Sequence, residues 1–330
     1  MKILVTGGAG FIGSCFIRYM LNKYQDYKII NLDALTYAGN LENLDDVKDN
    51  PNYEFIKGNI CNTELVSMIM ENVDAVINFA AESHVDRSIT GPEIFVETNI
   101  KGTLNLLQCA KHFNVQRYIQ ISTDEVYGTL GKTGYFTEET PLAPNSPYSA
   151  SKAGADLLVR SYYETYGMPV IITRCSNNYG PYQYPEKLIP FFISQLLRGE
   201  KVPVYGDGMN VRDWLYVYDH CSAIDAVLHN GRVGEVYNIG GNNEKSNLEI
   251  TRLILKALDK GEDSIQYVKD RLGHDKRYAI CSDKIQNELG WHPSVTFEEG
   301  LNHTLDWYLH NQDWLGSMET KKEYFDYFVS

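Results

Sequence analysis

Tyr148 and Lys152 stand in the stretch SPYSASKA, just after Pro147, at the head of a helical pattern. A spacing of i to i+4 puts both side chains on one helix face. A free tyrosine, with a pKa of about 10, is a poor base at neutral pH, and a neighbouring ammonium favours its phenolate. Upstream, the apolar run RYIQIS leads straight into Thr123, Asp124 and Glu125. Two adjacent carboxyl groups can divide acid and base work only if their surroundings separate their pKa values. Successive side chains on a regular strand face opposite ways, so both acids can serve one substrate only if the strand ends near Ser122 or Thr123.

A second constellation lies at the N-terminus. Gly8-Ala9-Gly10-Phe11-Ile12-Gly13, preceded by Gly7, follows an apolar strand and opens a helix. Glycines there allow a tight turn and close approach of the backbone to a pyrophosphate, and the helix N-terminus adds unpaired N–H groups. Asp33 ends the next strand, some 20 residues beyond the last glycine, where a carboxylate accepts from ribose hydroxyls and repels a 2′-phosphate. No arginine follows closely in Ala34-Leu35-Thr36, so NAD is expected rather than NADP. The positive ring of oxidised NAD would join Lys152 in favouring the Tyr148 phenolate.

These residues need a scaffold. Apolar runs at 2–7, 28–33, 53–60, 75–80, 117–122 and 170–175 read as buried parallel strands, and 11–24, 63–72, 98–113 and 148–166 as helices between them. That alternation predicts a doubly wound parallel Rossmann sheet with a second, smaller α/β domain. The expected division assigns 1–175, with about 209–241 interleaved, to the cofactor, and about 176–208 and 242–330 to the substrate. Residues 187–199 read as a helix, while WLYVYDH (214–220) and EVYNIGG (235–241) read as short strands.

A formal net charge of −13 argues against nucleic-acid or membrane partners. The six cysteines form no C-x-x-C pair and the eight histidines show no metal spacing, so a cytosolic chain without a metal is expected. No apolar stretch reaches membrane-spanning length.

Taken together, the glycine loop, Tyr148-x-x-x-Lys152 and a strand ending in Ser/Thr resemble the extended short-chain dehydrogenase/reductases. Thr123-Asp124-Glu125, AAESHVDRSI (80–89), SNNYGPYQYPEKLIP (176–190) and RDWLYVYDH (212–220) resemble the nucleotide-sugar 4,6-dehydratases of that family. The resemblance implies hydride removal from C4, loss of water across C5 and C6, and hydride return to C6, with NAD retained throughout. It implies Tyr148 as the O4 base assisted by Lys152, Thr123 as the residue orienting O4, Glu125 as the C5 base and Asp124 as the acid at the C6 hydroxyl. Along the cofactor it places Gly7, Gly10, Phe11, Ile12, Gly13, Asp33, Ala34, Leu35, Thr36, Asn59, Ile60, Ala80, Ala81, Thr98 and Asn178, with Tyr148 and Lys152.

For the nucleotide-sugar the resemblance implies Ser83, Thr123, Asn177, Lys187, Leu188, Pro203, Val204, Tyr205, Arg212, Asn247, Arg271 and His274. Glucose carried on dTDP is the expected substrate. UDP- or GDP-linked sugars, a 4-epimerase and a non-catalytic NAD-sensing protein are the alternatives. A homodimer packed through helices 98–113 and 148–166 is also implied. Two positions depart from the family pattern: Asn59 stands where Asp is usual, and Leu272 where Pro is usual.

Overall fold

The structure, a computed structural model, describes residues 1–270 and 275–320. Seven parallel strands form the main sheet: β1 (Lys2–Thr6), β2 (Lys28–Asp33), β3 (Tyr53–Lys57), β4 (Ala75–Asn78), β5 (Arg117–Thr123), β6 (Val170–Cys175) and a later strand, Val236–Ile239. Between β6 and that seventh strand run β7 (Asn177–Tyr179), β8 (Val202–Tyr205) and β9 (Val211–Tyr216), which makes the seventh β10. The strand order is β10-β6-β5-β4-β1-β2-β3. The order reverses between β1 and β4, so a crevice opens beyond the strand ends there.

Helices cover both faces, as the near-continuous apolar strands require. On one side α1 (Phe11–Lys23) buries Cys15, Phe16, Ile17 and Met20 against Ile3, Val5 and Ile77. On the other lie α2 (Thr63–Met70), then α3 (Val85–Thr90) and the single turn α4 (Glu93–Phe95), followed by α5 (Thr103–His112) and α6 (Pro147–Tyr166). Helix α6 starts where the chain dictates. Ser146 caps it with a reciprocal bond to Ser149, Pro147 occupies its first turn, and Gly167 ends it at φ 64°.

The smaller part contains α7 (Leu188–Leu197), α9 (Asn247–Ala257) and α11 (Phe297–His310) around a core of Phe192, Trp214, Ile250, Phe297 and Tyr308. Two small sheets adjoin it, β11 (Glu244–Ser246) with β9 and β7, and β12 (Ile265–Val268) with β8. Before α9 comes α8 (Val217–Asn230), and beyond it α10 (Asp283–Leu289) and α12 (Gln312–Glu319). Among the described residues no helix is long and apolar enough to cross a membrane.

Two local expectations fail. WLYVYDH is a strand only to Tyr216, and α8 begins at Val217. Val217, Cys221, Ile224 and Leu228 recur at helical spacing and are buried against α1, so the helical period outweighs the β-branched and aromatic run before it. The helix read over 98–113 is interrupted as well, since Val96–Gly102 forms a π-helical segment ahead of α5. Wider turns of this kind occur often at functional sites. Here the segment carries Thr98 into the crevice, while Asn99 is held by Glu82 and Ser151.

Candidate active site

The first cavity, about 340 Å3, runs from the glycine loop to the end of β5. Each glycine there is required for its own reason. A Cβ on Gly13 would lie 2.4 Å from the carbonyl oxygen of Gly7, and one on Gly7, at φ +71°, would lie 2.7 Å from the backbone of Ala80. A Cβ on Gly10 would meet only the Gly7 carbonyl, at 3.3 Å, and its other side faces the cavity. These residues fit a bound dinucleotide, because a backbone stripped of side chains lines the cavity at a helix N-terminus.

Asp33 is buried, and its two oxygens accept from the amides of Ala9, at 2.9 Å, and Leu35, at 2.8 Å. The carboxylate therefore braces the glycine loop from the edge of the cavity. Burial pushes its pKa up, against those two amides. Phe11, Ile12, Ala34, Thr36, Asn59, Ile60, Ala80, Ala81, Thr98 and Asn178 all line the cavity. Leu35 does not. It turns at φ 53° and contributes its amide to Asp33 rather than a side chain to the wall. The Asn59 side-chain Oδ1 accepts from the Cys61 amide at 2.8 Å, so it shapes the turn after β3 as well as the wall.

At the other end β5 stops at Thr123, and Asp124–Tyr127 form a 3-10 turn that Thr123 caps through the Glu125 amide, at 3.2 Å. Leaving the strand lets Asp124 and Glu125 line one cavity together with Thr123, Tyr148 and Lys152. The environments of the two acids differ. Asp124 is only 2% exposed, its Oδ1 accepts from the Thr123 hydroxyl at 3.3 Å, and its Oδ2 has no hydrogen-bond partner among the described residues. Burial first, then the Glu125 and Asp213 carboxylates, push its pKa up to about 8. Glu125 is half-buried. A carboxyl protonated at neutral pH stands beside a more accessible one.

The protein surroundings of Tyr148 by themselves oppose its ionisation. Burial, followed by the Glu125 carboxylate, drives its hydroxyl well above the ordinary range. Lys152 is itself buried, its pKa is lowered by that burial, and its Nζ donates to the Ile121 carbonyl at 2.7 Å. Its ammonium alone therefore does not make the phenolate. A further positive charge in the adjoining cavity is the natural counterweight.

A second cavity, about 670 Å3, adjoins the first, and Glu125, Asn177, Asn178, Gln183, Glu186 and Lys187 line both. Glu125 thus sits at their junction. Leu188, Pro203, Val204, Tyr205, Arg212 and Asn247 line the second cavity, while Ser83 lies on the first. Arg212 is fixed by the carbonyls of Val211, at 2.8 Å, and Asp275, at 2.9 Å, with its guanidinium over the Tyr278 ring. Lys187 donates to the Ser83 carbonyl at 3.4 Å. Arg271, His274 and the departure at Leu272 lie outside the described residues.

Glu82, Gln183 and Glu186 also line the site and were not singled out from the sequence. Glu82 and Glu186 lie inside AAESHVDRSI and SNNYGPYQYPEKLIP, but only the fold shows that buried carboxyls there meet. Tyr37 donates to Glu186 at 3.2 Å, which joins the segment after β2 to the second cavity.

The family described as GDP-mannose 4,6 dehydratase matches residues 4–304. The chain is 54% identical to a dTDP-glucose 4,6-dehydratase of Xanthomonas campestris pv. campestris (strain B100), over 94% of each chain. A crystal structure of dTDP-glucose 4,6-dehydratase from Bacillus anthracis str. Ames in complex with NAD shares 58% identity and a TM-score of 0.91, over 96% of this chain and 99% of that one. DesIV, the dTDP-glucose 4,6-dehydratase of Streptomyces venezuelae, solved with NAD and TYD bound, gives 52% and 0.94, over 96% of this chain and 100% of that one.

Proposed function

This chain belongs to the nucleotide-sugar dehydratase family described as GDP-mannose 4,6 dehydratase, and on that premise we infer that it is an NAD-dependent hydro-lyase converting dTDP-glucose to dTDP-4-keto-6-deoxyglucose and water. The observation that carries the reading is the acid pair at the end of β5, with Asp124 buried in the first cavity and Glu125, more accessible, at the junction of the two. A 4-epimerase needs no such pair. Intact Tyr148, Lys152, Asp124 and Glu125 argue against a non-catalytic NAD-sensing role. Relatives at 49–58% identity carry dTDP-glucose in their names, which favours dTDP over the GDP of the family description.

When bound, NAD supplies the acceptor for the C4 hydride and the donor for C6. The protein manages the protons. Tyr148 takes the O4 proton while Thr123 holds O4, and Lys152 keeps Tyr148 in register. The 4-keto group acidifies C5, and Glu125, at the cavity junction, removes that proton. Asp124 protonates the C6 hydroxyl, which departs as water. Glu125 returns its proton to C5 as hydride reaches C6. The proton held by Tyr148 restores Asp124, with the Thr123 hydroxyl, already donating to Asp124, between them. Asp124 can act as the acid because burial keeps it protonated.

In this reading residues 1–175 with 209–241 hold the cofactor, and 176–208 with 242 onward hold the nucleotide-sugar, β9 pairing with β7 and β11 across that division. Arg212 suits the diphosphate, since a planar guanidinium can pair two oxygens. A second copy of the chain would pack on α5 and on the face of α6 where Leu157 is exposed, forming a homodimer; light scattering at a monomer's mass would exclude it. A location in the cytosol follows from the same soluble nucleotide-sugar chemistry.

The test is direct. Purified protein given dTDP-glucose, without added NAD, should form a product with the alkali-induced ultraviolet absorbance of a 4-keto-6-deoxy sugar. No product even with NAD supplied would sink the reading. Equal turnover of UDP-glucose would sink the nucleotide choice.

A further inference from the structure

A reaction that borrows and returns one hydride works only while the cofactor stays bound, and the glycine loop is braced from an unexpected direction. Ala9, inside the loop, has its carbonyl oxygen bonded twice from behind, by the Asn40 amide at 3.0 Å and by Asn43 Nδ2 at 2.9 Å. Asn43 is buried, and its Oδ1 in turn accepts from the indole N–H of Trp314 on α12, at 2.9 Å.

Helix α12 reaches both parts of the molecule. Trp314 packs on the sugar-side core, with Trp307 at 5.1 Å between ring centres, and also on the cluster of Tyr184 and Met318 with Tyr37 and Ala38. Tyr37, Ala38 and Tyr184 line the cofactor cavity. At its end α12 is anchored to α7 through Glu319, which bonds Ser194 and Arg198.

We propose that α12 is a clamp that retains the cofactor, with Trp314 as a positioning residue acting through Asn43 on the Ala9 carbonyl of the glycine loop. The proposal rests on the NAD-dependent reading. Losing the indole N–H leaves the buried Asn43 oxygen unpaired, so the loop side chain that holds Ala9 loses its fixed orientation. The aromatic packing can be kept by phenylalanine. The clamp also links the two halves of the site, because the same helix that steadies the glycine loop is tied to α7, whose Leu188 and Ile189 line the sugar cavity.

The test compares wild type with Trp314→Phe and Asn43→Ser. NAD released on denaturation is counted per chain, and its release rate from native protein is followed by trapping with an excess of an NAD-consuming enzyme. Both variants should lose NAD about tenfold faster, the equivalent of one hydrogen bond. With saturating NAD they should regain wild-type kcat at an unchanged KM for sugar. Release within about twofold of wild type in both variants would overturn the proposal. A merely structural role would lower the melting temperature of NAD-stripped protein and leave release unchanged, which also overturns it. Asn43→Ser keeps Trp314 packing, so it carries the test if Trp314→Phe does not fold. Wild-type protein that neither carries nor binds NAD would instead sink the cofactor reading.

Discussion

Lys152 hands its ammonium to the backbone carbonyl of Ile121, at 2.7 Å, across the gap between α6 and β5. That contact fixes the helix carrying Tyr148 against the strand whose end carries the acids. It also holds a cation in a site where burial, and after it Glu125, otherwise push the Tyr148 hydroxyl up. Lys152→Met should therefore lower kcat by at least about 100-fold, the lower range for a lost acid–base catalyst. Its residual activity should rise with pH more steeply than wild type, because deprotonation of Tyr148 becomes limiting. A flat pH profile would show that Lys152 acts elsewhere.

Asp124 should be separable from Tyr148. Asp124→Asn removes the acid for the C6 hydroxyl while leaving Tyr148 and Lys152 in place, so C4 oxidation should persist and elimination should fall by about 100- to 10,000-fold. Stopped-flow absorbance of reduced cofactor, beside product formation, reads the two steps. Equal loss of both would refute the division of labour.

The buried carboxyl also has a pH signature. Its folded pKa of about 8 lies above the ordinary carboxyl value, so the native state binds the extra proton between about pH 4 and about pH 8. Its contribution to stability is complete below that window and lost as pH rises through it. Elimination should decline as pH rises past about 8. Denaturant titrations should show wild type losing stability relative to Asp124→Asn from about pH 4 to about pH 8, with no further loss above that. A variant that tracks wild type across that range would place Asp124 in its ionised form.

Two glycine substitutions should part company. Gly13→Ala puts a methyl 2.4 Å from the Gly7 carbonyl and should destabilise the fold itself. Gly10→Ala meets that carbonyl at 3.3 Å and otherwise faces the cavity, so it should fold and lose NAD affinity. Thermal melts and NAD titration check both; identical effects on stability would contradict the assignment of Gly10 to the ligand side.

How much of this was legible is best judged residue by residue. The β2 and β6 boundaries and the starts of α1 and α6 follow from local pattern, and the structure has them at or near the positions read. Helix α8 was missed because its first turn continues an aromatic, β-branched strand, and only its packing on α1 shows which period wins. The π-helical segment at 96–102 has no sequence period of its own. Within the site, glycine and Tyr-x-x-x-Lys spacings are local and readable. What Asp124 feels is not, since burial and Asp213, far along the chain, set its protonation. The Trp314–Asn43–Ala9 chain is likewise invisible to spacing, because Trp314 stands 271 residues from Asn43.

The most direct measurement follows the hydride. The protein is given dTDP-[4-2H]glucose with no added NAD, and the position of the label in the product is read by NMR. Transfer from C4 to C6 within one site predicts deuterium at C6 of the 4-keto-6-deoxy product. Product with no deuterium at C6 would contradict the account.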